Sequence, residues 1–161
     1  MERELLLGLA AVALVLLVRR FLFTVIRVKG NSMRPTLRDG QFLLLRRTRN
    51  VERGDIVICR YPGEKRPKGE LFRKLYVKRL IGLPGETVTI ADGEVSIDGH
   101  PLREAYLPPR TAVRLGRERR WELGPDECFV LGDNRTASRD SRSVGPLKKG
   151  LILGRIVGRG R

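Results

Sequence analysis

The stretch TVTIADGEVSIDG, residues 87–99, decides the fold class of this chain. On each side of Asp92-Gly93, apolar and polar side chains alternate, which is the pattern of a β-strand with one buried face. An Asp-Gly pair between two such runs favours a type I′ turn, because both residues tolerate the positive φ that this turn requires. The stretch therefore predicts an antiparallel β-hairpin.

Short apolar runs bounded by turn residues continue on both sides of the hairpin, without an internal repeat or a low-complexity tract. Runs of this length and spacing are typical of an all-β domain. The further predicted strands are residues 41–45, 55–61, 75–83, 128–131 and 151–157. Residues 64–73 and 111–120 are charged and aperiodic and are expected to be solvated loops, with at most helical turns near residues 35–37 and 136–141. We predict a mainly β protein with a single antiparallel all-β domain.

Length and charge restrict the class of protein further. The 161 residues suffice for one domain of ordinary size, and 33 Lys and Arg against 18 Asp and Glu give a net charge of +15. Such a basic surface attracts polyanions, which are either nucleic acid or the anionic headgroups of a membrane. Aromatic side chains make up only 6% of the residues and are not interleaved with the arginines, as stacking on nucleic acid would require. The composition favours a phospholipid membrane as partner, and no nucleic acid is expected.

Residues 5–18, LLLGLAAVALVLLV, form an uncharged apolar run that Arg19 and Arg20 follow. As a helix this run would be about 21 Å long, shorter than the roughly 30 Å hydrocarbon core of a bilayer. If both arginine side chains reached the headgroups, the helix could extend to Phe23 and serve as a short uncleaved anchor. The predicted divisions are an N-terminal tail at residues 1–4, a transmembrane anchor at residues 5–23 and a β-rich domain at residues 24–161.

Two alternatives to the anchor stay open, a removed signal sequence and a buried core helix. Arg-Arg-Phe follows the run where a cleavable signal would have small residues, which favours the uncleaved anchor. The orientation is also open, because arginines behind the run would place the domain in the cytoplasm by the positive-inside rule.

The side chains that carry metal or histidine chemistry are few and dispersed. Cys59, His100 and Cys128 lie far apart without ligand spacing, so the sequence predicts no metal and no cofactor. Both cysteines lie in apolar strand contexts and are predicted to be buried free thiols. His100, the single histidine, lies in a predicted turn, which does not favour a Ser-His-Asp triad.

An activated serine without a histidine requires a lysine whose amine is neutral. Burial lowers the pKa of a lysine because it disfavours the ammonium form. Lys74 and Lys78 share one face of the predicted strand, and Lys78 has the more apolar neighbours. Ser32 is the candidate nucleophile, since Gly30 and Pro35 constrain the loop around it. From the spacing alone, a lysine in a strand is more often a surface residue than a catalytic one. A serine that only caps a helix or shapes a turn fits the spacing around Ser32 equally well.

Four segments, taken in their order along the chain, resemble the motif boxes of the bacterial type I signal peptidases. They are GNSMRPTL (residues 30–37), RGDIV (residues 53–57), VKRLIGLPGE (residues 77–86) and GDNRTASRDSR (residues 132–142). A match to one motif alone would be weak evidence for the family, whereas matches to four motifs in the same order are specific for it. The resemblance implies a membrane-anchored serine endopeptidase that cleaves N-terminal signal peptides from exported preproteins. It places the catalytic domain on the extracytoplasmic side of the cytoplasmic membrane.

The resemblance also implies a Ser-Lys dyad. Ser32 would be the nucleophile, with its backbone N–H stabilising the oxyanion, and Lys78 would be the general base. Ser138 would hydrogen-bond Lys78, and Asp140 would pair with Arg142 to shape the site.

Other residues of these motifs would support the site. Met33 would line it beside the nucleophile, and Asp133, Asn134 and Arg135 would hold their loop. Gly30 departs from the pattern, because some family members have a serine there that donates a hydrogen bond to the oxyanion. The oxyanion would then depend on the backbone and on water.

Other functions stay open beside this one. A dedicated Ser-Lys maturation protease, of the conjugative-pilin or organelle inner-membrane type, differs in substrate breadth, which the sequence does not give. A self-cleaving repressor would carry a DNA-binding helical domain where this chain has its apolar run. A membrane-tethered basic binding module without enzymatic activity would tolerate the exchange of Ser32 and Lys78.

Overall fold

Two antiparallel β-sheets follow an N-terminal helix. The computed structural model describes residues 2–64, 74–108 and 118–158, and at residues 16–21 it describes the backbone alone. The helices and strands in these ranges are, in chain order, α1 (Glu2–Leu22), β1 (Phe23–Arg27), β2 (Phe42–Arg46), β3 (Ile56–Cys59), β4 (Tyr76–Gly82), β5 (Thr87–Ala91), β6 (Glu94–Ile97), β7 (His100–Pro101), β8 (Arg119–Glu122), β9 (Glu127–Leu131), α2 (Ser141–Val144), β10 (Leu147–Lys148), a 3-10 helix (Lys149–Leu151) and β11 (Ile152–Ile156).

The larger sheet has the strand order β1-β2-β11-β3-β4-β9-β10, and the smaller sheet has the order β7-β6-β5-β8. Neighbouring strands pair antiparallel throughout. The mainly β, antiparallel fold predicted from the sequence is therefore confirmed. Of the four segments that the motifs mark, one follows β1, one runs into β3, one begins in β4 and one follows β9, so the larger sheet supports all four.

The predicted hairpin is formed by β5 and β6. Asp92 and Gly93 have φ values of 49° and 88°, so both central residues of the turn have the positive φ that a type I′ turn requires. Asp98 and Gly99 repeat this geometry, with φ values of 51° and 80°, and lead the chain into β7. Local turn chemistry thus determines most of the smaller sheet.

The N-terminal helix covers most of the predicted anchor. It ends at Leu22, and β1 begins at Phe23, so most of the apolar stretch after the two arginines forms a strand that the sequence did not predict. Within the described residues, no helix combines the length and the apolar character needed to cross a membrane.

The strand β8 also lies where none was predicted. The loop expected at residues 111–120 is wrong at Arg119 and Arg120, and its first seven residues lie outside the described part of the chain. The strand forms because Trp121 pairs with Val88 of β5 and packs against Phe129, with ring centroids 4.7 Å apart. Of the loop predicted at residues 64–73, only the first residue is described.

Buried apolar side chains form three clusters around the larger sheet. One joins β4 and β9 to the smaller sheet. The second packs β1, β2, β3 and β11 against the turn after β1 through Met33 and Leu37, which are 1% and 0% exposed. The third contains Cys59 and Cys128, which are buried and free, as predicted. The second cluster positions the candidate nucleophile, because it buries the neighbours of Ser32.

Candidate active site

Ser32 lies in the connection between β1 and β2, residues 28–41, which we call the nucleophile turn. The turn is closed by a hydrogen bond of 2.9 Å from Leu37 N to Met33 O and by one of 2.7 Å from Gly30 N to the Asp39 side chain. Met33 and Leu37 point into the core, whereas Ser32 is only half-buried. Burying a Met or Leu side chain contributes about 1.5 to 3 kcal/mol, which holds the turn against the sheet while its serine stays accessible.

Lys78 reaches Ser32 from β4. Its side chain is 2% exposed, and Nζ donates hydrogen bonds of 2.8 Å to Ser32 Oγ and 2.9 Å to the Val77 carbonyl oxygen. Burial lowers the pKa of Lys78 below its ordinary value, although the negative charges of the Asp140 and Asp133 side chains act in the opposite direction. The site thus joins a half-buried hydroxyl to an amine whose neutral form is favoured.

The other basic candidates of the sequence lie elsewhere. Lys74 precedes β4 and is exposed, with its ammonium 5.3 Å from the ring centroid of Tyr76. His100 is exposed on β7, at the edge of the smaller sheet. The buried lysine beside Ser32 is therefore Lys78.

The motif after β9 lies against the nucleophile turn. Asn134 N donates a hydrogen bond of 3.0 Å to the Ser32 carbonyl oxygen, and the Asn134 side chain donates one of 3.1 Å to Asn31 O. A Cβ atom at Gly132 would lie 2.5 Å from Ser32 O and 2.5 Å from Ser138 Cβ, so only glycine fits there. These contacts hold the backbone of Ser32 in addition to its core anchors.

Asp140 and Arg142 form the ion pair that the resemblance implied. Asp140 is fully buried and accepts two hydrogen bonds of 2.8 Å from the Arg142 guanidinium and one of 3.0 Å from Gly132 N. Burial raises the pKa of Asp140, but the bonds from Arg142 and Gly132 outweigh it and lower the pKa below its usual value. The carboxylate also caps α2 by accepting from Arg142 N. It therefore ties the start of this motif to its end.

Ser138 lies inside this loop, beside Gly132. Its hydroxyl is close enough to Asp140 to favour the charged carboxylate, yet it is buried without a hydrogen bond of ordinary geometry among the described residues. The bond from Lys78 that the resemblance implied is not formed here, and the amine donates to Ser32 and Val77. The role of Ser138 stays a prediction.

A buried ion pair that sequence reasoning missed lies next to the lysine. Arg79 follows Lys78 in β4, and its guanidinium donates bonds of 2.8 Å and 2.6 Å to Asp133, with both side chains 0% exposed. Thr36 donates a further bond of 2.5 Å to Asp133. The only available signal was the position of Arg79 and Asp133 inside two of the motifs. Asp133 thus links β4 to the nucleophile turn.

A second missed group comes from the chain after β7. Glu104 binds the buried guanidinium of Arg135, and the Tyr106 ring stacks on Arg79. Glu104 and Tyr106 belong to none of the four motifs, so the sequence carried no signal for them.

Metal chemistry has no evident support in the described ranges. Within residues 2–64, 74–108 and 118–158, no group of three His, Cys, Asp or Glu side chains is arranged to hold a metal ion. The arrangement that is present suits proton transfer between a hydroxyl and an amine, followed by attack of the serine oxygen on an electrophilic carbon.

Comparisons with known proteins agree on one family. The family described as "Signal peptidase, peptidase S26" matches residues 2–159. Signal peptidase I of Bacillus amyloliquefaciens is 41% identical over 156 residues, and signal peptidase I T of Bacillus subtilis (strain 168) is 42% identical over 156 residues. Each alignment covers 89% of this chain and 77% of the relative. The crystal structure of a signal peptidase I from Enterococcus faecalis V583 matches with a TM-score of 0.53 and 29% identity, over 66% of this chain and 96% of the other.

Proposed function

This chain belongs to the signal peptidase family, peptidase S26, and on that premise we propose that Ser32 and Lys78 are the catalytic residues with which it cleaves signal peptides. Membership makes the chain a serine endopeptidase of the signal peptidase I type. The observation that carries the assignment is the distance of 2.8 Å between Ser32 Oγ and Nζ of the buried Lys78.

The proposed reaction begins with proton transfer inside the dyad. The neutral amine of Lys78 accepts the hydroxyl proton of Ser32 while Oγ attacks the carbonyl carbon of the scissile peptide bond. A tetrahedral intermediate with a negative oxygen results. The ammonium of Lys78 then gives its proton to the leaving amide nitrogen, the C–N bond breaks, and the mature protein leaves with a free amino terminus. The signal peptide stays bound to Oγ as an ester.

Water completes the cycle. Lys78, neutral again, accepts a proton from a water molecule that attacks the ester carbon. The second tetrahedral intermediate collapses, Ser32 Oγ takes the proton back from Lys78, and the signal peptide is released as a carboxylic acid. The same amine thus serves both halves of the reaction.

The surrounding residues orient this pair. The backbone N–H of Ser32 is our candidate oxyanion donor, because Met33, Leu37 and Asn134 hold that segment of the backbone. Gly30 supplies no side-chain donor, and its φ of 88° disfavours a serine in that position. We also propose that Ser138 accepts a hydrogen bond from the Lys78 ammonium during the reaction. The support is its buried hydroxyl, which has no hydrogen-bond partner among the described residues.

The test is the loss of cleavage in dyad variants. Ser32→Ala and Lys78→Ala are each expected to lower kcat by at least about a thousandfold, and the double variant is expected to be no worse, because the two residues act as one unit. The measurement is single-turnover cleavage of a preprotein by detergent-solubilised protein. Lys74→Ala is the matched control and retains wild-type activity. Substantial turnover in either dyad variant with intact folding would refute the assignment.

We also propose a membrane location, with α1 as anchor, residues 24–161 as the catalytic domain and that domain on the extracytoplasmic side. The apolar side chains of α1 are exposed around the helix, with values between 55% and 67% for Leu5, Leu6, Leu7, Leu9, Val12, Leu14 and Val15. A helix that is apolar all round requires a lipid or protein environment. Removal of signal peptides from exported preproteins requires a site next to the translocated chain, which supports the extracytoplasmic side.

The sheet next to α1 suits contact with lipid. We define the β1–β2 apolar face as Val25, Phe42 and Leu44, which are 65%, 69% and 41% exposed. Val25 lies opposite Leu44, and Phe42 lies opposite the exposed Arg27. Apolar side chains bordered by arginines fit the boundary between acyl chains and phosphate headgroups. Because β1 follows α1 directly, this face would meet the bilayer that holds the helix.

A further inference from the structure

The segment of residues 102–108 follows β7 and contacts the loop after β9 through the pair of Glu104 and Arg135. It leaves β7 with a hydrogen bond of 2.8 Å from Leu102 N to Val95 O, which holds its start on the smaller sheet. Two of its side chains, Glu104 and Tyr106, reach charged groups that belong to the larger sheet and to the loop after β9. The segment is therefore placed to influence residues that surround the dyad.

Glu104 neutralises a buried cation. Its carboxylate accepts bonds of 2.8 Å and 2.5 Å from the Arg135 guanidinium, whose side chain is 0% exposed. Burial acts to lower the pKa of Arg135, and the bonds from Glu104 more than compensate and raise it. A buried guanidinium without this carboxylate would be unpaired in a medium of low dielectric constant, so it would move toward water.

Arg135 transmits this contact to the dyad. Arg135 Nε donates a hydrogen bond of 3.0 Å to Gly132 O, and Arg142 donates one of 2.6 Å to Arg135 O. Gly132 in turn leaves no room for a Cβ atom between Ser32 O and Ser138. Displacement of Arg135 would therefore loosen Gly132 where it lies against the Ser32 carbonyl oxygen.

Tyr106 reinforces Glu104 from the same segment. Its hydroxyl donates a bond of 2.5 Å to Glu104, and its ring centroid lies 3.7 Å from the guanidinium carbon of Arg79. Arg79 is the direct neighbour of Lys78 in β4 and pairs with the buried Asp133. One segment thus contacts both Arg79, next to the proposed catalytic lysine, and Arg135 in the loop after β9.

We infer that Glu104 is a positioning residue for the Ser32–Lys78 pair, acting through Arg135 and the backbone of Gly132, with Tyr106 holding its carboxylate in place. The inference rests on the proposed function of the dyad. When Glu104 loses its charge, the loop after β9 loosens and water gains access to Lys78. A more hydrated amine has a pKa closer to its ordinary, higher value. The charged and titratable groups that act on Lys78 are Cys59, Asp133, Asp140 and Arg142, and the substitution replaces none of them.

The test compares Glu104→Gln with the wild type in the full-length, detergent-solubilised protein. We expect kcat to fall about ten- to a hundredfold with little change in KM, because misplaced reacting groups slow the chemical step. We also expect the acid limb of the pH profile of kcat to move to higher pH, so that the deficit shrinks in alkaline buffer. Glu94→Gln, which removes the same charge from an exposed position in β6, is the matched control and behaves as wild type.

One further variant and two parallel controls keep the inference falsifiable. Tyr106→Phe retains the ring on Arg79 and removes the bond to Glu104, so it is expected to shift the pH profile in the same direction by a smaller amount. If Glu104→Gln does not fold, the pH profile of Tyr106→Phe decides whether Glu104 has the positioning role. An unchanged pH midpoint, with kcat either unaffected or lowered only in proportion to the folded fraction, would overturn the positioning role. Ser32→Ala and Lys78→Ala are assayed in parallel, because activity in those variants would contradict the dyad itself and not the role of Glu104.

Discussion

Lys78 determines how the proposed reaction responds to pH. Only its neutral amine can accept the Ser32 proton, and burial lowers its pKa below the ordinary value of 10.5. As the pH rises through this lowered pKa, the ammonium loses its proton and the base becomes competent. Activity therefore increases with pH, with a midpoint on the acid side of the value for a free lysine.

We predict a single ascending ionisation in the pH profile of kcat/KM. The measurement is the cleavage rate of a signal peptide substrate across the range in which the protein stays folded. Metal chelators are expected to have no effect on this profile. A rate that does not vary with pH, or a midpoint at or above that of a free lysine, would count against Lys78 as general base.

Individual residues differ in how far the sequence could identify them. Ser32 and Lys78 lie in motifs, so their pairing could be predicted although 46 positions separate them. Glu104 lies 31 positions from Arg135 and in no motif, and its contact depends on how the smaller sheet packs on the larger one. Such an ion pair is a product of tertiary structure, and local patterns do not encode it.

Among the elements, β1 and β2 combine two functions. Their inner side chains contribute to the cluster that anchors the nucleophile turn, and their outer side chains form the β1–β2 apolar face.

Sequence patterns predicted β2 but not β1, because FTVIR continues an apolar helix run and periodicity alone does not separate a helix from a strand there. The β5–β6 hairpin was predictable because its turn residues act locally. β8, rich in charge, is specified by pairing with a distant strand.

We predict that the β1–β2 apolar face assists cleavage at a membrane. A combined Val25→Ser, Phe42→Ser, Leu44→Ser variant is expected to cleave a preprotein in vesicles containing anionic lipid about tenfold more slowly, since it loses apolar contact with the bilayer. Cleavage of a soluble peptide in detergent should stay at the wild-type rate. Leu75→Ser, at another exposed apolar position, is the control. Equal losses on both substrates would indicate damage to the active site and contradict a lipid-specific role.

At the scale of the whole molecule, the proposed orientation places every part of the catalytic domain outside the cytoplasm. We predict that His100→Cys, at an exposed position on β7, reacts with a membrane-impermeant maleimide added to intact cells. The unsubstituted chain is the matched control, because Cys59 and Cys128 are buried. Labelling that occurs only after the cells have been permeabilised would show that the catalytic domain faces the cytoplasm. That result would exclude a role in processing exported proteins.

The burial of both thiols affects how the domain would fold and resist oxidation in the proposed extracytoplasmic location. Desolvation raises the pKa of Cys59 to about 12, and burial also raises the pKa of Cys128. Oxidation and disulfide exchange proceed through the thiolate, and at pH 8 only about one Cys59 side chain in ten thousand would carry that form. Since no disulfide joins the strands that carry these cysteines, the domain in its proposed extracytoplasmic location would fold without an oxidase or a disulfide isomerase.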